Sequence, residues 1–178
     1  MRSFQLIVVL LLALIWVTSI HAYLTLPERI PIHFNASGKA DAYGGKITFL
    51  LLPLAFSIAP IILLIISGKR REALKGTAWW MNLPAFFSKL NSLPENERER
   101  FVNSYFNSID ALNAFLTFCF YLLTLGIFFG SKTGELPRWF NLVILMLLLS
   151  PIPFLIRMRN LSKEFEKAYK QLDRTYVR

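Results

Sequence analysis

Two histidines and two carboxylates fall close together in the first quarter of the chain. His21, Glu28, His33 and Asp41 all lie between residues 21 and 41. Imidazole and carboxylate groups are ligands that zinc and other transition metals accept, so the set is a remote candidate for a metal-dependent membrane hydrolase. Their spacing matches no usual ligand pattern, which leaves His21, His33 and Asp41 as weak metal candidates. We expect no metal and no cofactor, and a structural His33 hydrogen-bonded to the loop backbone.

The sequence contains no motif that supports another catalytic chemistry. A Gly-rich phosphate loop, His-Glu-x-x-His, Gly-x-Ser-x-Gly and Cys-x-x-Cys are all missing from it. Cys119 is the single cysteine, so it cannot form an internal disulfide or a zinc cluster. We therefore predict that the chain is not an enzyme.

The loop from residue 25 to residue 46 is dense in turn-forming and polar residues. Pro27 and Pro31 restrict the backbone, whereas Gly38 and Gly44 permit tight turns. Apolar and other residues alternate through 30–34, which is typical of a short extended segment. We expect an ordered loop, and a candidate recognition surface, whose motif residues are Leu26, Pro27, Ile30, Pro31, His33, Phe34, Asn35, Gly38, Asp41 and Gly44. Among them, we expect Asn35 and Asp41 to cap or brace turns.

Four apolar stretches are each long enough to cross a membrane, since about 30 Å of hydrocarbon needs roughly 20 helical residues. They span residues 4–24, 47–67, 112–130 and 140–156, and none contains Asp, Glu, Lys or Arg. The predicted fold class is an all-α integral membrane protein with four transmembrane helices. The missing intramembrane charge counts against a transporter. A cleaved signal peptide is an alternative for the first stretch and leaves the other three unchanged.

The distribution of lysine and arginine predicts the orientation. Fifteen of the 20 lie before the first stretch, in 68–111, or after residue 156, and five lie in 25–46 and 131–139. Positively charged segments stay on the cytoplasmic side. We predict a multi-pass protein of the cell membrane, with both termini cytoplasmic and the loop 25–46 outside. The same bias explains most of the net charge of +9, so no nucleic-acid partner is expected.

Two segments outside the spans have the pattern of amphipathic cytoplasmic helices. From residue 97, one face carries Phe101, Tyr105, Ile109 and Leu112, and another carries Asn103, Asn107 and Asp110. This pattern predicts an extension of the third span as one continuous helix. From residue 157 onward, an apolar stripe of Leu161, Phe165, Ala168, Leu172 and Tyr176 runs among seven basic residues. Such a tail can lie on anionic lipid, pack on the neighbouring cytoplasmic helix, or bind a cytosolic protein.

The predicted organisation has four regions. Residues 1–67 hold the first two spans and the outer loop, and residues 68–111 form a cytoplasmic loop with an amphipathic helix. Residues 112–156 hold the third and fourth spans, and residues 157–178 form the basic amphipathic tail.

The pattern Leu-Pro-x-x-Ile-Pro-x-His-Phe-Asn-x-x-Gly, which begins at Leu26 and follows the first span directly, resembles the SdpI-like family of prokaryotic membrane proteins. Members carry a domain of unknown function, numbered 1648, and the resemblance covers about the first 65 residues. The Gly-x-Arg/Lys-x-Pro motif of the C-terminal half of SdpI-type proteins is not found here. The resemblance implies toxin immunity, with an outer loop that meets an extracellular factor and cytoplasmic segments that engage a soluble partner.

Two functional hypotheses therefore stand ahead of the hydrolase. The first is toxin immunity or extracellular sensing through the loop 25–46, with the lipid bilayer, an extracellular peptide and a cytosolic protein at the basic tail as partners. The second is a membrane scaffold or accessory subunit of a larger transporter or enzyme complex. The first predicts ligand-dependent responses, and the second predicts a stable complex after gentle extraction.

Overall fold

The computed structural model describes residues 3–75 and 85–176, which are mostly helical. Within these ranges four helical stretches are long and apolar enough to cross a membrane, as the sequence predicts: Ser3–Thr25, Lys46–Gly68, Glu95–Thr133 and Phe140–Leu172. The elements in chain order are α1 (Ser3–Thr25), β1 (Arg29–Phe34), β2 (Ala40–Gly45), a 3₁₀ turn (Lys46–Leu50), α2 (Leu51–Gly68), α3 (Arg70–Leu74), a second 3₁₀ segment (Ala85–Ser92), α4 (Glu95–Thr133), α5 (Phe140–Leu149) and α6 (Pro151–Tyr176).

One region departs from the predicted all-α fold class. Between α1 and the 3₁₀ turn at Lys46–Leu50, the chain forms an antiparallel pair of strands, β1 and β2. Pro31 in β1 opposes a helix, and Gly38, between the two strands, allows the chain to reverse. The short extended segment predicted for 30–34 is therefore one strand of a hairpin.

The third and fourth spans differ in continuity. The predicted extension of the third span is confirmed, because α4 is one helix of 39 residues. The fourth span is interrupted at Ser150, between α5 and α6. Pro151 has no N–H to give the Leu147 carbonyl, which instead accepts from the Ser150 N–H (3.3 Å) and the Ser150 hydroxyl (2.7 Å). Pro60, by contrast, lies inside α2.

The chain divides into two compact units, and the first comprises Met1–Ile62 and Asn113–Ser150. It has two buried clusters, one centred on Ala22, Leu26, Ile30, Phe49 and Phe128, the other on Cys119, Leu123 and Val143. Hydrogen bonds between side chains and neighbouring helices join α1 to α2 and α2 to α4. The Trp16 indole donates to the Ser57 hydroxyl (3.2 Å), and the Asn113 amide donates to the Pro60 carbonyl (3.1 Å). Such bonds satisfy polar groups where the surrounding surface is apolar.

The second unit comprises Leu63–Leu112 and Pro151–Arg178. Its core combines the apolar face of α4, including Phe101 and Phe106, with the apolar stripe of α6. In that stripe Leu161 is 1% exposed and Phe165 is 2% exposed. Of the three roles that the sequence leaves open for the tail, intramolecular packing is therefore the one that the structure shows for this stripe.

A glycine in α4 allows close packing in the first unit. A Cβ atom added to Gly126 would lie 2.9 Å from Phe140 Cε2 and 3.2 Å from Trp139 Cη2. The α4 backbone is therefore in direct contact with the aromatic rings at the start of α5. In contrast, a Cβ added to Gly68, at the end of α2, meets nothing within 4 Å.

We expect Gly126→Ala to destabilise the protein by about 1–3 kcal/mol, because the new methyl group forces two packed rings to move. The measurement is the thermal unfolding temperature of the detergent-solubilised protein, followed by tryptophan fluorescence. Gly68→Ala is the matched control, since it makes the same change in open space and should leave that temperature unchanged or slightly raised. Equal behaviour of the two variants would contradict the packing at Gly126.

Candidate functional site

The loop 25–46, which we call the hairpin, pairs its strands from Arg29 opposite Gly45 to Phe34 opposite Ala40. The register shifts on either side of His33, so the ladder is irregular there. Such a bulge turns neighbouring side chains away from strict alternation.

Asn35 fixes the turn of the hairpin through its side chain. Its Oδ1 atom accepts hydrogen bonds from the Ser37 N–H (3.0 Å), the Ser37 hydroxyl (2.7 Å) and the Lys39 N–H (3.1 Å). Gly38 completes the turn with a φ of +81°, a conformation that glycine adopts without steric cost. The sequence-based expectation that Asn35 braces a turn is confirmed.

The tip of the hairpin is tied to the connection between α4 and α5. The Ala40 N–H donates to the Gly134 carbonyl, and the Leu136 N–H donates to the Gly38 carbonyl, both at 2.8 Å. Phe34 packs on the last turns of α4, because a Cβ added at Gly130 would lie only 2.9 Å from its ring. These contacts hold the tip in one position relative to α4.

The base of the hairpin is closed by Glu28 and Lys46. The Lys46 N–H donates to the Glu28 carbonyl (3.0 Å), and its ammonium lies 2.9 Å from the Glu28 carboxylate. The same ammonium stands 5.3 Å from the centre of the Tyr23 ring, at the end of α1. The hairpin is therefore held at both ends.

The hairpin, held at its tip and its base, forms a fixed frame, and His33 and Asp41 form a polar pair on it. His33 Nδ1 donates to Asp41 Oδ1 at 2.5 Å, and the two side chains are 67% and 42% exposed. The prediction that His33 is hydrogen-bonded to the loop backbone is therefore wrong. The bulge explains the difference, because it sets the imidazole beside a side chain of the opposite strand.

The other two candidate metal ligands, His21 and Glu28, make contacts elsewhere and not with His33 and Asp41. His21 lies edge-on against the Phe128 ring, with centroids 5.7 Å apart, and Glu28 is bound to Lys46. Residues 3–75 and 85–176 contain no group of three or more His, Cys, Asp or Glu side chains arranged to hold a metal ion. The geometry therefore gives the hydrolase hypothesis no support.

Most of the other motif residues are structural. Leu26 and Ile30 belong to a buried cluster of the first unit, and Pro31 is also buried. Gly44 lies under the Ile32 side chain, where an added Cβ would come within 3.0 Å of two of its carbons. Pro27 is exposed. The motif thus builds a frame, and His33 with Asp41 is its exposed polar part.

The second unit contains a polar cluster, built around a buried ion pair, that was not expected from the sequence. The Arg70 guanidinium donates to Asn103 Oδ1 (3.2 Å), Asn107 Oδ1 (3.1 Å) and Asp110 Oδ2 (3.1 Å). The other carboxylate oxygen of Asp110 accepts from the Ser67 hydroxyl at 2.5 Å. The Arg70 and Asp110 side chains are only 10% and 2% exposed. This cluster joins the segment after α2 to α4 through charge-assisted hydrogen bonds.

The sequence does contain a signal for this cluster. Asn103, Asn107 and Asp110 follow one another at i, i+4 and i+7, the spacing of a single helix face. From the sequence, that face was expected only to be the polar side of an amphipathic helix. Arg70 belongs to a Lys-Arg-Arg run that reads as ordinary cytoplasmic charge, so only the tertiary fold shows which basic residue is buried.

We expect Asp110→Ala to destabilise the protein by about 3–5 kcal/mol, because it leaves the Arg70 charge buried without its carboxylate partner. Arg70→Met should be comparably harmful for the converse reason. The double variant Arg70→Met/Asp110→Ala should cost less than Asp110→Ala alone, since neither charge is then buried. Equilibrium unfolding in mixed detergent–dodecyl sulfate micelles measures all three.

The matched control is Arg157→Met/Glu164→Ala, which removes an ion pair of 3.6 Å whose side chains are about half exposed. Its two single changes should add within about 0.5 kcal/mol, because exposed pairs contribute little. Additive costs at Arg70 and Asp110 as well would contradict a coupled buried pair.

The sequence of the chain is similar to one family model and to a protein from an archaeon. A family model described as "Domain of unknown function (DUF1648)" matches residues 10–56, which include most of α1, the whole hairpin and the start of α2. No solved structure matches the chain. A relative from Archaeoglobus fulgidus, described as "Uncharacterized protein", is 35% identical over 141 residues, covering 79% of this chain and 77% of the relative. The chain therefore belongs to the same family as this archaeal protein.

Proposed function

We propose that this chain is a multi-pass cell-membrane protein that uses the hairpin to recognise a ligand outside the cell, in extracellular sensing or in immunity to a secreted toxin. The observation that carries the proposal is a fixed frame with an exposed polar pair, His33 and Asp41. Binding sites on scaffolds that are already ordered lose less entropy when a ligand docks. The excess of Lys and Arg on the opposite side, 15 against 5, supports an outward hairpin.

Recognition occurs through side chains, not through addition of a strand to β1. The backbone hydrogen bond from the Lys46 N–H to the Glu28 carbonyl shows which residues of β1 point their backbone N–H and C=O groups toward β2, because such residues alternate along an antiparallel pair. By this alternation the backbone nitrogen of residue 31 points away from β2, toward the open edge of β1. That residue is proline, which has no N–H to donate. The edge is therefore poorly suited to pairing with an extended peptide. Beside the polar pair, Ile32 and Tyr43 are both about half exposed and supply apolar contact area.

The resemblance to SdpI-like proteins supports the immunity form of the proposal. The hairpin motif that carries this resemblance lies wholly within the residues matched by the family model. In the structure these motif residues build the frame that presents His33 and Asp41. Immunity by direct contact with a secreted peptide requires such a fixed surface outside the membrane.

The test is complementation of a deletion strain of the native host, grown in its own spent medium, which contains the peptides that the host secretes. The unmodified chain should restore viability and the transcriptional response, and His33→Ala/Asp41→Ala should not. The control Arg157→Ala/Glu164→Ala also removes an exposed pair of opposite charges, but outside the hairpin, and should restore both. Immunoblots of the membrane fraction establish equal protein levels.

Full restoration by the His33→Ala/Asp41→Ala variant would contradict the proposal, as would a deletion strain that survives and responds like its parent. Long-read sequencing of the native transcript adds an independent outcome. A gene for a secreted peptide or a small repressor on that transcript favours immunity and sensing. A transporter or enzyme gene, together with a stable complex after gentle detergent extraction, would favour the accessory-subunit alternative.

A further inference from the structure

The polar side of α6 carries a regular stripe of basic residues. At 100° per residue, its four members lie within an arc of about 80° on the helix surface, and all are exposed. They are Arg159, Lys163, Lys167 and Lys170, which we call the basic stripe. Arg174 continues the same spacing in the sequence.

The basic stripe is not neutralised by described carboxylates. No ion pair within 4 Å joins any of its four members to an acidic side chain of residues 3–75 or 89–172. Basic residues elsewhere in the same unit do have such partners, as Lys69 has Glu72 and Arg157 has Glu164. Like charges four residues apart destabilise a helix, so the stripe imposes a cost that intramolecular pairing does not offset.

The apolar side of α6 is already occupied. Leu161 and Phe165 are buried in the core of the second unit, and Ala168, Tyr169 and Leu172 pack against that core. A helix that lies flat on a bilayer must insert its apolar face into the lipid. For α6 this would require those core contacts to be lost, so the stripe does not reach lipid in that way.

Distance along the helix also separates the stripe from the bilayer. The first residues of α6 are apolar, and all of them up to Ile156 except Phe154 are exposed, as suits contact with lipid. At 1.5 Å per residue, Lys163 stands about 10 Å and Lys170 about 21 Å beyond Ile156 along the axis. The headgroup layer of one leaflet is only about 5–8 Å deep. Lys167 and Lys170 therefore extend past the headgroups.

We propose that the basic stripe of α6 is a docking surface for an acidic segment of a soluble protein. A helix or extended segment with carboxylates on one side matches a row of four cations about 16 Å long. The inference is independent of the hairpin, since it rests only on the charge, packing and length of α6.

The experiment uses the full chain in nanodiscs of neutral phosphatidylcholine, with a fluorescent oligo-glutamate peptide as the probe in anisotropy titrations. The variant Arg159→Gln/Lys163→Gln/Lys167→Gln/Lys170→Gln should bind the peptide about tenfold more weakly than the unmodified chain, and raised salt should remove the difference. The control Arg71→Gln/Lys75→Gln/Lys132→Gln/Arg138→Gln removes four exposed charges elsewhere and should bind like the unmodified chain.

Four outcomes would overturn the proposal. Equal losses in the two quadruple variants, or no binding by the unmodified chain, would show that the stripe is not a docking surface. With phosphatidylserine in the nanodiscs, the unmodified chain and the stripe variant could bind the peptide equally well. This result would assign the basic stripe to lipid headgroups. Tighter binding of a DNA oligonucleotide with the same number of charges would assign it to nucleic acid.

Discussion

Much of the structure depends on one constraint: a polar group among long apolar helices is costly unless a hydrogen bond within the chain satisfies it. Pro151 has no N–H to donate to the Leu147 carbonyl, so this carbonyl accepts hydrogen bonds from Ser150. The side-chain amide of Asn113 donates a hydrogen bond to the Pro60 carbonyl. The largest example is the cluster around Arg70 and Asp110, in which the two charged side chains are 10% and 2% exposed and bond to each other. Because such groups are costly when unpaired, each pairing also selects one arrangement of its unit.

The hairpin obeys the same constraint in a different way. Its backbone groups are satisfied by the opposite strand, by the Asn35 side chain and by the connection around Gly134. Glycines at 38, 44 and 130 permit these close approaches. With the frame secured by these contacts, His33 and Asp41 are not needed to hold the hairpin in place. They can be exposed, and a ligand can contact them without disturbing the fold.

Sequence reasoning predicted those features that depend on local composition. Hydropathy was sufficient for the four apolar helices, and helical periodicity was sufficient for the continuous α4. The strand in 30–34 and the bracing role of Asn35 also followed from local residue types. Features that depend on distant partners did not follow from the sequence. These are the hydrogen bond of His33 to Asp41, the burial of Arg70 within a basic run, and the choice among the three roles that were open to the apolar stripe of α6. Each requires knowing which segments meet in three dimensions.

The central claim is that the hairpin faces the outside of the cell while α6 extends into the cytoplasm. It is tested most directly by labelling single new cysteines with a membrane-impermeant maleimide, since Cys119 is buried and gives little background. Ala36→Cys, at the exposed hairpin tip, should react in intact cells. Asn160→Cys, exposed on α6, should react only after the membrane is permeabilised. The reverse pattern would contradict the account, because the hairpin would then face the cytoplasm.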